Sequence, residues 1–73
     1  MINSAEELDF NKRFSKKLLG LYVDEAERRT LAAGLFCRIA EENGRTFDDI
    51  LELDVRRLNF IVRKGKILDV FVG

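Results

Sequence analysis

Histidine and proline are both absent from this 73-residue chain, and cysteine occurs once. Without histidine the chain lacks the side chain most often used as a general base and as a transition-metal ligand. The single thiol, Cys37, has no histidine to activate it and no second cysteine at CxxC spacing, so neither a thiol nucleophile nor a zinc site assembles. It also cannot close an internal disulfide, which fits a reducing compartment. The absence of proline and a count of only five glycines imply continuous elements with short connections and no flexible linker. No apolar run approaches the roughly 20 residues of a membrane span. The N-terminal MINSAEELDF carries acids where a signal peptide has its apolar core. These absences predict a soluble, cytoplasmic protein with no membrane association.

Catalytic groupings are missing as well. The adjacent carboxylates Glu41-Glu42 and Asp48-Asp49 do not converge when they lie on a helix, and no glycine-rich phosphate loop follows a strand. We therefore expect no enzyme activity, no cofactor and no metal. What remains is the composition of a folding chain, with 47% hydrophobic residues and thirteen basic residues balanced by thirteen acidic ones. The length allows one domain, residues 1–73, with residues 1–4 expected to be flexible.

Ser4 and Glu7 have the spacing of a capping box, and Phe10, Phe14 and Leu18 follow as an apolar stripe, so a first helix is predicted up to Gly20. Leu21-Tyr22-Val23 bridges to a second helix capped by Asp24, with Leu31, Leu35 and Ile39 on its buried face and Asn43-Gly44 at its end. Thr46, with Asp49 in the capping-box position, opens a short third helix through Phe47, Ile50, Leu51 and Leu53. Asp54 caps a fourth turn over residues 55–58. From Asn59 to Val72 the pattern changes to dense Phe, Ile and Val on both sides of Lys64-Gly65, which predicts a hairpin. Residues 55–62 also fit a continuing helix. The expected fold is thus α+β: a small three- to four-helix domain with a C-terminal two-stranded antiparallel ribbon. Phe14, Leu18, Leu31, Leu35, Ile39 and Ile50 form its expected core.

Residues 39–53 are patterned like a helix-turn-helix, with Ile39-Ala40 before Gly44 and Ile50 and Leu53 after it. The would-be recognition helix exposes Asp48, Asp49 and Glu52, which phosphate repels. A DNA-binding regulator is therefore an alternative reading, and no sequence-specific DNA binding is expected. Charge is segregated along the chain. Residues 41–54 hold six acids against Arg45, whereas residues 56–66 hold five bases and no acid. Such blocks either neutralise each other across the fold or orient a partner, and the basic tip allows weak, non-specific contact with nucleic acid. In the tail, Phe60, Val62, Ile67 and Phe71 are assigned to one face of the ribbon and Ile61, Leu68, Val70 and Val72 to the other. One of those faces is left to a partner or a second copy; a monomer is favoured over a dimer.

With this length, this segregated charge and no enzyme site, the chain from MINSAEELDF to ILDVFVG resembles small phage-encoded transcription regulators that bind bacterial RNA polymerase, as in a Xanthomonas bacteriophage. The resemblance implies binding to the N-terminal end of the polymerase's largest subunit in the host bacterial cytoplasm, inhibition of initiation by disturbing sigma factor, and antitermination during elongation. The segment Gly44-Arg45-Thr46-Phe47-Asp48-Asp49-Ile50-Leu51 is also similar to helical segments of phage tail-assembly chaperones. The partner surface is assigned from the residues themselves. Leu21 and Tyr22 serve as apolar anchor, and Asp48, Asp49, Glu52, Arg63, Lys64 and Lys66 as steering charges.

Overall fold

The structure, a computed structural model, describes residues 4–47 and 52–73. Two helices, α1 (Ser4–Lys16) and α2 (Val23–Ala32), precede four strands, β1 (Phe36–Glu42), β2 (Arg45–Thr46), β3 (Arg57–Arg63) and β4 (Lys66–Val72). The strands make one mixed sheet in the order β2-β1-β3-β4. β1 and β3 are parallel, and the two outer pairs are antiparallel. The class is α+β, but the expected architecture is wrong. Among the described residues there are two helices, not three or four, and the ribbon is half of a four-stranded sheet.

The error starts at Gly34. Leu31, Leu35 and Ile39 recur every fourth residue, and a spacing of four is also an even number, so it fits a strand as well as a helix. Gly34 adopts φ +79 and ends the helical path. Beyond it Leu35, Cys37 and Ile39 point toward the core while Phe36 and Arg38 point away, a period of two. Leu31, expected inside, is 56% exposed on the last turn of α2. Ile50 lies outside the described residues, as do residues 1–3 and the Asp49 capping position. Asp24 sits in the first turn of α2, and the N-cap position belongs to Tyr22, which makes no side-chain cap.

Asn43-Gly44, expected to end a helix, is the turn of the β1–β2 hairpin, with φ of +51 and +85. Lys64-Gly65 turns β3 into β4 with φ of +52 and +77. Two consecutive left-handed residues define the turn whose twist matches a hairpin. The two turns are tied together, because the Lys64 N–H donates to Asn43 Oδ1 at 2.8 Å. Thr46, expected to open a helix, ends β2. Strand, turn and strand over residues 39–46 also remove the helix-turn-helix reading. Asp54 does cap a turn, accepting the Arg56 N–H at 2.9 Å, but the turn leads directly into β3.

The helices cover one face of the sheet, α1 along β4 and α2 over β1. Between them and the sheet lie Leu18, Ala26, Leu35, Leu58, Phe60, Val62 and Ile67, with Phe14 and Ile39 packed against this cluster. No described helix is long and apolar enough to cross a membrane.

Candidate binding surface

Among the described residues, no helix covers the second face of the sheet, yet that face is not bare. Along β3, Leu58, Phe60 and Val62 turn into the core, so Arg57, Asn59 and Ile61 must turn outward. Asn59 is nevertheless only 2% exposed. It stands between Arg38 on β1 and Phe71 on β4, its register partners. Its Oδ1 accepts Arg38 Nη1 at 3.2 Å, and its Nδ2 donates to the carbonyls of Phe71 and Gly73 at 3.1 and 3.2 Å. Arg38 reaches on through Nη2 to the carbonyl of Phe47 at 2.7 Å. On the other flank Arg57 donates from Nε to the Gly73 carbonyl at 2.8 Å and from Nη2 to the carbonyl of Glu52.

This chain of bonds has one structural consequence. Phe47 and Glu52 lie in the crossover, residues 47–56, that carries the chain from β2 to the start of β3. Each of these two backbone carbonyls is held by a guanidinium rooted in the sheet, and both guanidiniums meet through Asn59 and the Gly73 carbonyl. Hydrogen bonds from a charged donor are the strong ones. The described part of the crossover, Phe47 and residues 52–56, forms no strand or helix. Leu53 within it is 91% exposed, the most exposed of the described large apolar side chains.

The residues assigned to a partner surface fall into two places. Leu21, Tyr22, Arg63, Lys64 and Lys66 meet at the β3–β4 turn. There the Gly20 N–H donates to the Ile67 carbonyl at 2.9 Å, the Ile67 N–H to Leu21 at 2.8 Å, and the Val23 N–H to Gly65 at 2.9 Å. Tyr22 is exposed, with Lys66 Nζ 5.1 Å from its ring centroid, a cation–π pair. Leu21 is half-buried and packs against the core. Arg63, Lys64 and Lys66 border an open cavity of about 380 Å³ floored by Ile67 and Leu68. Glu52 lies at the opposite end of β3, about 20 Å away for a seven-residue strand. Asp48 and Asp49 lie outside the described residues.

Folding sets the charged blocks side by side, although Arg56 of the basic block forms its ion pair with Glu7 of α1, outside residues 41–54. Because β1 and β3 are parallel, Glu42 pairs with Val62 beside the basic turn, whereas Arg57 binds the Glu52 carbonyl and Arg56 the side chain of Asp54 through its N–H. The expected face assignment of the ribbon is likewise corrected. Val62 pairs with Ile67 and Phe60 with Val70, which leaves Leu68 as an extra residue in β4. The bulge brings Ile67, Val70 and Val72 to the core side and leaves Asp69 and Phe71 on the outer side with Asn59. That outer side is interrupted by polar groups, so it is no continuous apolar patch.

Cys37 sits half-buried in β1, not on a helix. Burial and then the nearby Glu27 carboxylate push its thiol above the ordinary range, the opposite of what a nucleophile needs. Sequence reasoning missed Arg38, Arg57 and Asn59. The available signal was Asn59 itself, one amide inside the run Leu58-Asn59-Phe60-Ile61-Val62, where a buried polar group demands partners. No known protein family, curated protein or solved structure matches the chain.

Proposed function

We propose that the protein is an inhibitor of endopeptidases, and that the crossover of residues 47–56 is the element it presents to them. One observation carries this reading: two carbonyls of the crossover are pinned to the sheet by Arg38 and Arg57 while the Leu53 side chain stands in solvent. A segment anchored at two backbone carbonyls with an apolar side chain, Leu53, left in solvent has the form of a ligand. The natural receptor for such a ligand is a cleft that takes a peptide backbone and sorts side chains in pockets, which is the substrate cleft of an endopeptidase. Restraint before binding reduces the ordering cost and so raises affinity, and inhibitor loops of this kind move little on binding.

The pins also explain why such a segment inhibits instead of being consumed. After a cut between Phe47 and Glu52, both new ends stay attached to one scaffold by the same hydrogen bonds. Their effective concentration for resealing is then very high, so the cut does not run to completion. Side-chain chemistry narrows the enzyme class. The crossover reads Phe47-Asp48-Asp49-Ile50-Leu51-Glu52-Leu53-Asp54-Val55-Arg56, with aliphatic residues at its centre and no base before Arg56. This suits enzymes with an apolar primary pocket over those with an acidic pocket for Lys or Arg.

The test is steady-state inhibition of chymotrypsin-like, subtilisin-like and trypsin-like enzymes by the purified chain. Sub-micromolar inhibition of one or both apolar-pocket enzymes is expected, with the trypsin-like enzyme much less affected. Simple digestion of the chain by all three, with no loss of their activity toward a reporter peptide, rejects the proposal. Host RNA polymerase, the partner the resemblance implies, is the rival. Its capture from a bacterial lysate by a protein that inhibits no peptidase decides for that partner.

A further inference from the structure

We infer that α1 is a positioning element for the crossover and that it acts through Asn11; the inference rests on the reading of residues 47–56 as the binding element. Arg38 and Arg57 grip the crossover from the open face of the sheet. The helical side grips it too. Asn11 Nδ2 donates to the Val55 carbonyl at 2.7 Å across 44 residues of sequence. One turn earlier on α1, Glu7 Oε1 accepts Arg56 Nε at 2.9 Å. The same short stretch is closed on itself, because Asp54 Oδ1 accepts the Arg56 N–H and the Asp54 carbonyl accepts the Arg57 N–H at 3.0 Å. Residues 52–56 are therefore held by Arg57 on the open face and by Asn11 and Glu7 of α1 on the other, while Arg38 holds Phe47 at the start of the crossover.

Packing does not account for Asn11. It is 3% exposed, whereas the neighbouring Phe10 is turned out to solvent. A helix driven only by apolar burial would roll Phe10 inward and Asn11 outward. Ser15, one turn further on and also buried, satisfies itself on the Lys12 carbonyl within α1. Asn11 instead directs its amide at the crossover, and a buried amide is tolerated only when bonded. Positioning is the role this geometry leaves.

Asn11→Leu removes the donor at similar volume, and Asn11→Asp keeps the shape but loses the donor while ionised. Amide hydrogen exchange of the folded chain is read at Arg56 and Arg57 and, for reference, at Phe60 and Val62 in the middle of β3. Both variants are expected to exchange about tenfold faster at Arg56 and Arg57 with the reference amides little changed, the effect of losing about one net hydrogen bond. Inhibition of the apolar-pocket peptidase should weaken by a similar factor. Measured against the wild type at the same pH, where Asp54 and Glu7 beside Arg56 are protonated alike, Asn11→Asp should regain slow exchange, after correction for intrinsic rates, once acid protonates its carboxyl and restores a donor, a rescue that mere packing would not give. Equal acceleration at all four amides in Asn11→Leu, or unchanged inhibition despite local loosening, overturns the inference. Should the wild-type chain inhibit no peptidase, the exchange data still decide whether α1 braces the crossover, and only the proposed function falls.

Discussion

Replacing Asn59 with alanine removes the junction of the outer-face network. Three hydrogen bonds are lost: one accepted from Arg38 and two donated to the Phe71 and Gly73 carbonyls. All three lie between 3.1 and 3.2 Å, toward the long end of the range, so each is assigned a modest value. The Gly73 carbonyl keeps Arg57 Nε, which limits the loss at that end. Because Asn59 is 2% exposed, water does not freely replace the missing partners. A total cost of about 1.5–3 kcal/mol follows from roughly 0.5–1 kcal/mol per bond. Against a stability near the lower end of about 5–15 kcal/mol, that is a large fraction. At about 4–8 °C per kcal/mol for a domain of this size, Tm should fall by roughly 6–24 °C. Thermal and urea unfolding followed by circular dichroism measure both quantities, with an unchanged m-value expected. Inhibition should weaken as well, since Arg38 loses the acceptor that orients it toward Phe47. A cost below about 0.5 kcal/mol would refute the reasoning and mean that the network decorates the sheet without holding it.

Three further outcomes are expected. Arginine placed in turn at Ile50 and Leu51, between the two pinned carbonyls, should at one position transfer inhibition to a trypsin-like enzyme and weaken it toward apolar-pocket enzymes, which identifies the residue entering the primary pocket; no transfer at either position rejects the pocket assignment. Lys64→Asn should stabilise the fold by about 0.5–1 kcal/mol, because φ of +52 strains lysine more than asparagine, and a neutral or negative change in the urea midpoint contradicts this. The Cys37 thiol should be alkylated more slowly in the folded chain than in urea at neutral pH. Its folded-state pKa is raised, so its contribution to stability is complete below the unfolded thiol's pKa and is lost as pH rises through the folded value; faster alkylation in the folded chain would reverse that sign.

Much of what misled the helix assignment was arithmetic. Spacings of four, as in Leu31-Leu35-Ile39, serve both periodicities, and the period-two signal in Leu35-Cys37-Ile39 was masked by the helical stripe that precedes it. Asn43-Gly44 is a strong hairpin dipeptide, but a helix carried past Gly34 leaves it only the role of a helix terminus. The Phe10-Phe14-Leu18 stripe does mark α1, although the helix stops at Lys16, short of the expected Gly20, and Leu18 is buried in the turn beyond it. The buried face runs instead through Asn11 and Ser15, whose hydrogen bonds let them be buried.

By itself the sequence determined the local elements whose signals depend on neighbours in the chain: α1 and the first turns of α2, the left-handed Lys64-Gly65 turn, and the apolar run that becomes β3. Caps, dihedral preferences and periodicity act over a few residues, so they are written there directly. Only the tertiary structure decided that residues 36–42 are a strand, since a parallel strand needs a partner and β3 lies about twenty residues further on. It also assembled the network on which the proposed binding surface rests. Arg38, Asn59 and Arg57 carry no motif, and they become a single device only when the sheet sets β1, β3 and the end of β4 side by side beneath the crossover.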